Sequence, residues 1–217
     1  MELLHVMEKR RSCRAFARKP VERRLIEEVL RGAGRAPSAL NLQPWEVTVV
    51  MGEELDRLIR RILGAHRERA AVCTPGATRP LPDLFQHRRR ESFGPLAEIL
   101  QREGVVLDAF VGEGSCRFYG EPAAMVLSLD GAFSKDRYLC LGAFLGYLVL
   151  AAHDLGLATC PVGLISAYAE EIQEQLNIPA DRDVVLGIAV GYADGASPLA
   201  TFRTPRAPLE SYVRWFV

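Results

Sequence analysis

The sequence predicts an α+β domain, on three observations. Three apolar runs, WEVTVVMG, PAAMVLSLD and DVVLGIAVGY, read as buried strands. The helical segments between them follow no regular βαβα rhythm, which argues against a doubly wound sheet. No strand is followed by G-x-G-x-x-G, and G-x-x-x-x-G-K-[ST] does not occur, so neither a dinucleotide fingerprint nor a phosphate loop is present.

Taken in order, residues 1–9 can close a short helix. Residues 21–33 form a clear amphipathic one, with Val21, Leu25, Ile26, Val29, Leu30 and Ala33 on one face, Pro20 before it, and Gly34 and Pro37 after it. PSALNLQPW is a loop held by two prolines and leads into the first strand. Residues 53–70 are helical, with Leu55, Leu58, Ile59 and Ile62 at helical spacing. Residues 73–82, with three prolines and a glycine, are a loop. Residues 84–103 resume a helix that Gly94-Pro95 should interrupt. After the second strand, 138–155 is a helix, 170–176 a short one, and the third strand gives way to an extended tail ending LESYVRWFV. The chain reads as one domain over 1–217 with no internal repeat.

Nearly half of the 217 residues are hydrophobic, enough for a substantial core. Lys plus Arg equals Asp plus Glu, 27 each, so no basic surface argues for a nucleic-acid partner. The five cysteines include no C-x-x-C pair and no signal peptide precedes them, which fits a reduced cytoplasm without a zinc site or disulfide framework. The longest apolar run, 138–152, is shorter than a membrane span needs, so no membrane partner is expected. That run is apolar on every side, and Gly142 and Gly146 share a face. Full burial of such a helix points to cover from a second subunit, as does a tail carrying Tyr212, Trp215 and Phe216. The alternative is a monomer built around a central core helix.

Three short stretches can carry chemistry. In RRSCRAF, Arg10, Arg11, Ser12 and Arg14 crowd three guanidinium forks and a hydroxyl together, a set that suits a phosphate ester. The same residues would also serve as a solvated patch at a helix end. In PSALNLQPW, Ser38, Asn41 and Gln43 present groups that donate and accept, suited to a heterocycle edge or a polyol, or simply a turn. In ATCPVGLI, Pro161 and Gly163 let the backbone approach a ligand closely. Cys160 beside them has no recognisable His or Asp partner and reads as a buried thiol. The four histidines show no metal-binding spacing. Arg203 and Arg206, in TFRTPRAPLE, could meet the N-terminal arginines if the tail folds back. Arg88 to Arg90 form a solvated helix face or border a pocket for an acidic substrate.

The order of these pieces resembles the FMN-dependent nitroreductase family. RRSCRAF, an amphipathic helix and APSALNLQPWEVTVV resemble its opening; LGYLVLAAHDLGLATCPVGL and VVLGIAVGYADGASPLATFRTPRAPLE resemble its second half, closest to the nitrobenzoate-reductase branch. The likeness is weakest over about 73–121. It implies a central mixed or antiparallel sheet surrounded by helices, in an intertwined homodimer. It also implies that Arg10, Arg11 and Ser12 bind the FMN phosphate with Arg206. Arg203 would stand in for a missing upstream lysine, and Arg14 is a further candidate. Pro37, Ser38, Ala39 and Asn41, with Gln43 beside them, would reach the partner's flavin. The backbone of Pro161, Val162, Gly163 and Leu164 would face the isoalloxazine and donate to its N5. The implied activity is ping-pong hydride transfer through flavin N5, from NADH or NADPH to nitroaromatics, quinones or similar acceptors, with no catalytic side chain. The same fold could instead serve ene reduction, oxygen-dependent flavin breakdown, or flavin binding and sensing without turnover.

Overall fold

A computed structural model describes residues 2–74 and 76–217; Met1, where the first predicted helix begins, and Pro75, in the predicted 73–82 loop, lie outside the described residues. Four strands, β1 (Trp45–Met51), β2 (Ala123–Asp130), β3 (Ala158–Val162) and β4 (Arg182–Gly191), form one sheet in the order β1-β2-β4-β3. Every pairing within it is antiparallel. Side chains alternate across a strand, so β2 feeds two cores. Ala124 and Val126 join one, while Ala123, Met125, Leu127 and Leu129 join the other.

Among the described residues, eight helices surround the sheet: α1 (Leu3–Lys9), α2 (Arg23–Ala33), α3 (Gly52–Arg69), α4 (Asp83–Arg102), α5 (Leu107–Cys116), α6 (Tyr138–Asp154), α7 (Ala169–Leu176) and α8 (Pro198–Thr201). One face of the sheet is covered by α2 and α6, through Ile26, Val29, Leu141, Phe144 and Leu148. The other is covered by α3, α7 and the turn Gly163–Tyr168, through Leu58, Ile62, Ile172 and Tyr168. The predicted α+β class holds, and so do the three predicted strands.

Three features differ from the sequence reading. First, α4 runs unbroken through Pro95. A proline inside a helix forfeits one backbone bond and crowds the preceding turn, costing about 3 kcal/mol. Burial of Leu96 and Leu100 on the following turns offsets that cost. Second, α5 has no counterpart in the predicted elements, because Gly112 and Gly114 weaken its helical signal. Gly114 is required there: a Cβ would lie 2.9 Å from a ring carbon of Tyr119.

Third, the ATCPV stretch is a strand, β3, at the sheet edge, where Pro161 needs no ladder donor. Helix α6 is not covered all round within one chain, and the sequence reading looks to a second subunit for the remaining cover. Leu139 is 79% exposed, Tyr147 is also exposed, and nothing lies within 4 Å of where Gly142 and Gly146 would carry a Cβ. The tail likewise leaves Trp215 and Phe216 in the open, Phe216 at 93%. Among the described residues, no helix is long and apolar enough to cross a membrane.

Candidate functional site

The arginine-rich segment is held against the sheet by its own backbone. The N–H of Arg10 closes α1 by donating to the carbonyl of Val6 at 2.9 Å. Ser12 then pairs with Thr159 of β3 in a parallel bridge, and the Cys13 N–H donates to the Thr159 carbonyl at 2.9 Å. This bridge is the one parallel pairing that touches the sheet among the described residues. Further along, Phe16 bridges Ala193, and the Ala17 N–H donates to Tyr192 at 2.8 Å. Phe16 seats over Gly191, where a Cβ would fall 2.9 Å from its ring and 2.8 Å from Pro122. Only glycine admits that contact without displacement.

The tail returns to the same place. Ser197 caps α8 by accepting from the Leu199 N–H. From the other side, Arg11 Nε donates to the carbonyl of Ala200 at 2.5 Å. Arg203 spans both segments, donating from Nη1 to the Glu8 carbonyl at 2.9 Å and from Nη2 to the Lys9 carbonyl at 3.2 Å. Between them lies a cavity of about 400 Å³, lined by Arg10, Arg11, Ser12, Arg14, Arg203 and Arg206. All six phosphate-site candidates thus meet at one place, although the first and last are far apart in the chain.

The cavity is electrostatically uncompensated. Among the described residues, Glu8 is its only acidic lining residue against five arginines. The Arg10 side chain makes no hydrogen bond or ion pair among the described residues. Burial, and then the neighbouring charge of Arg206, hold its guanidinium below the ordinary arginine range. Arg206 folds over its own segment, with Nη1 donating to the Thr204 carbonyl and hydroxyl and to the Pro205 carbonyl. Arg14 lies over the ring of Tyr119, 6.0 Å from its centroid. Guanidinium groups that repel one another around a cavity form a receptor for a multiply charged anion.

Tyr119 did not emerge from the sequence as a site residue. It and Phe118 adopt left-handed backbone conformations in succession, with φ of 61° and 47°, which is strained for bulky side chains. The strain turns Tyr119 beneath Arg14 while Phe118 fills the core. Two aromatics followed by a glycine before a strand were the available signal.

The remaining candidates stand apart from this cavity. Pro37, Ser38, Ala39, Asn41 and Gln43 do not line it. Their loop is exposed and holds Leu40, Asn41 and Gln43 all at positive φ. It is braced internally: the Gln43 N–H donates to Ser38 Oγ at 3.0 Å, and Gln43 Nε2 donates to Asn41 Oδ1 at 3.0 Å. Pro161 and Val162 end β3, while Val162 and Leu164 are buried. Gly163 between them is exposed, with nothing within 4 Å of where a Cβ would stand. Cys160 is buried and its thiol is pushed up to about 11 by that burial, so it is no nucleophile. Arg89 and Arg90 border a groove with Phe93 and Leu107, whereas Arg88 donates to Ser211 Oγ of the tail at 3.0 Å.

The sequence pattern of the nitroreductase family matches residues 7–192. The chain belongs to that family. The 4-nitrobenzoate reductase of Pseudomonas putida is 30% identical over 218 residues, covering 97% of this chain and 93% of that protein. The iodotyrosine dehalogenase 1 homolog of Caenorhabditis elegans is 44% identical over 187 residues, covering 86% of this chain and 53% of that protein. Among solved structures, the FMN-dependent nitroreductase NfnB of Mycobacterium smegmatis, in complex with NADPH, superposes with a TM-score of 0.87 at 31% identity over the whole of both chains. For this nitroreductase-family chain, the sheet order and flanking helices are therefore the family's fold.

Proposed function

We propose that the protein is an FMN-dependent NAD(P)H oxidoreductase that reduces nitroaromatics, quinones or similar small aromatic acceptors by a ping-pong mechanism. The observation that carries this reading is the cluster of Arg10, Arg11, Ser12, Arg14, Arg203 and Arg206 around one cavity with a single carboxylate. A terminal phosphate on the cofactor supplies the missing negative charge. The residues fit FMN: the cations suit its phosphate, and the open face at Gly163 leaves room for a ring. When bound, FMN supplies two-electron redox chemistry that no side chain of this chain offers.

The protein's own part is to bind and orient. Arg10 and Arg206 are the phosphate ligands, with Arg11, Ser12 and Arg14 beside them. Arg203 joins them as the notional substitute for the upstream lysine, while two donors of its fork also tie the tail to α1 carbonyls. The backbone of Pro161 to Leu164 faces the ring. The braced loop carrying Pro37, Ser38, Ala39, Asn41 and Gln43 reaches the flavin of a partner subunit in a homodimer. The uncovered side of α6 and the exposed tail aromatics support that dimer. No catalytic acid is nominated.

The test is anaerobic. FMN-loaded protein should lose its yellow colour with NADPH or NADH and regain it with 4-nitrobenzoate or a quinone. A flavin that neither nicotinamide bleaches would refute the oxidoreductase reading. The 44% identity to the nematode dehalogenase homolog favours a second reading, reductive removal of halide from a halogenated phenol. Halide release in the same assay, without nitroarene reduction, would select it.

A further inference from the structure

We propose a second anion site directly behind the first, a cleft that takes a phosphate dianion between Lys9, Arg10, Arg11 and His153. The cleft has a volume of about 330 Å³ and lies where the end of α1, the last turn of α6 and the start of β3 meet. It shares Arg10 and Arg11 with the flavin-phosphate cavity but none of that cavity's tail residues. Two guanidinium groups thus form a wall between two compartments. Each fork carries several donors, so one arginine can serve both sides.

Among the described residues, no carboxylate lines the second compartment. Neither the Lys9 ammonium nor the His153 ring makes a hydrogen bond or ion pair among the described residues. The backbone beneath, Gly156 to Thr159, is built from small or apolar residues and adds no opposing charge. Its position is fixed, because Thr159 is the residue that pairs with Ser12. Concave shape, unpaired cations and a rigid floor together describe a receptor for a compact anion.

His153 couples this site to pH. Burial, then Arg11, Arg10 and Arg203, hold its imidazole below the ordinary histidine range, with Asp154 on the same helix acting weakly in the opposite direction. Lys9 faces it across the cleft. These influences bias the imidazole toward its neutral form. A bound dianion offsets part of the field of the three arginines and favours the imidazolium. Binding then takes up a proton, and affinity rises as pH falls.

The proposal rests on the flavin reading only in assigning the first cavity to the FMN phosphate. Free inorganic phosphate and the 2′-phosphate of NADPH offer the same chemical group. FMN-loaded protein should bind labelled inorganic phosphate in equilibrium dialysis at one per subunit, beyond the flavin's own. Lys9→Gln should weaken that binding about tenfold to a hundredfold while flavin retention stays unchanged. Sulfate stays a dianion from pH 8 to pH 5.5. Its affinity should tighten over that range in the native protein and stay flat in His153→Gln. Displacement of phosphate by adenosine 2′,5′-bisphosphate would assign the site to the nucleotide, and resistance to it would assign the site to free phosphate. Phosphate that binds only flavin-free protein and is expelled by FMN would overturn the proposal. A protein that never takes up FMN, yet binds phosphate through Lys9 and His153, would sink the flavin reading and leave this one standing.

Discussion

Glu121 should make the protein lose stability as pH rises, and Glu121→Gln should remove that loss. The residue enters β2 just before Pro122 and is 5% exposed. Neither carboxylate oxygen has a hydrogen-bond partner outside the residue itself. Burial pushes the carboxyl up to about 10 from 4.5, with its own backbone N–H a lesser opposing influence. A raised acid is protonated when folded and ionised when unfolded. Its penalty is absent below pH 4.5 and grows until the folded group ionises near pH 10. Each pH unit in that window costs about 1.4 kcal/mol, so the 2.5 units from 4.5 to 7 cost about 3–4 kcal/mol. Glutamine keeps the shape and the buried polar atoms but cannot ionise. Urea denaturation of both proteins at pH 5, 6, 7 and 8 reads the difference, and other titrations cancel between them. The stability gap should widen by about 1.4 kcal/mol per pH unit in favour of the variant. A constant gap across the range would refute the buried, proton-bearing state of Glu121.

Three further outcomes follow from the site. Arg206→Ala should weaken FMN about tenfold to a hundredfold and riboflavin hardly at all, as read by flavin fluorescence quenching, because only the phosphate is lost as a partner. Gly191→Ala should destabilise the fold by about 1–3 kcal/mol in chemical denaturation, because the new methyl strikes Phe16 and Pro122. It should also loosen FMN, since Phe16 anchors the arginine segment. Truncation from Ser211 onward should shift the protein toward monomer in analytical ultracentrifugation and weaken FMN together with it; unchanged assembly would remove the tail from the proposed interface.

Legibility in the sequence followed local chemistry. Amphipathic α2 and α3 and the apolar runs of β2 and β4 were plain because periodicity and burial agree there. The arginine cluster was legible as residue types, but its closure was not. Arg206 and Arg10 meet because Arg203 reaches two carbonyls of α1, a contact across the length of the chain that no local pattern encodes. Helix α5 was hidden by Gly112 and Gly114, which lie against His66 and Tyr119, and β3 by a proline that only an edge position tolerates. Pro95 misled in the opposite direction, since its local penalty is outweighed by Leu96 and Leu100. Glu121 carried no signal at all, because an acid reads as a surface residue until its surroundings are known.

The arginine cavity is proposed to hold a flavin by its phosphate. Titrating flavin-free native protein with FMN and with riboflavin under the same conditions tests it most directly. The two ligands share ring and ribityl chain and differ only in that group. FMN should bind at one per subunit and about a hundredfold or more tighter than riboflavin, because at least two charged hydrogen-bonding partners are at stake. Equal affinities for the two flavins would contradict the account, whatever activity the protein displayed.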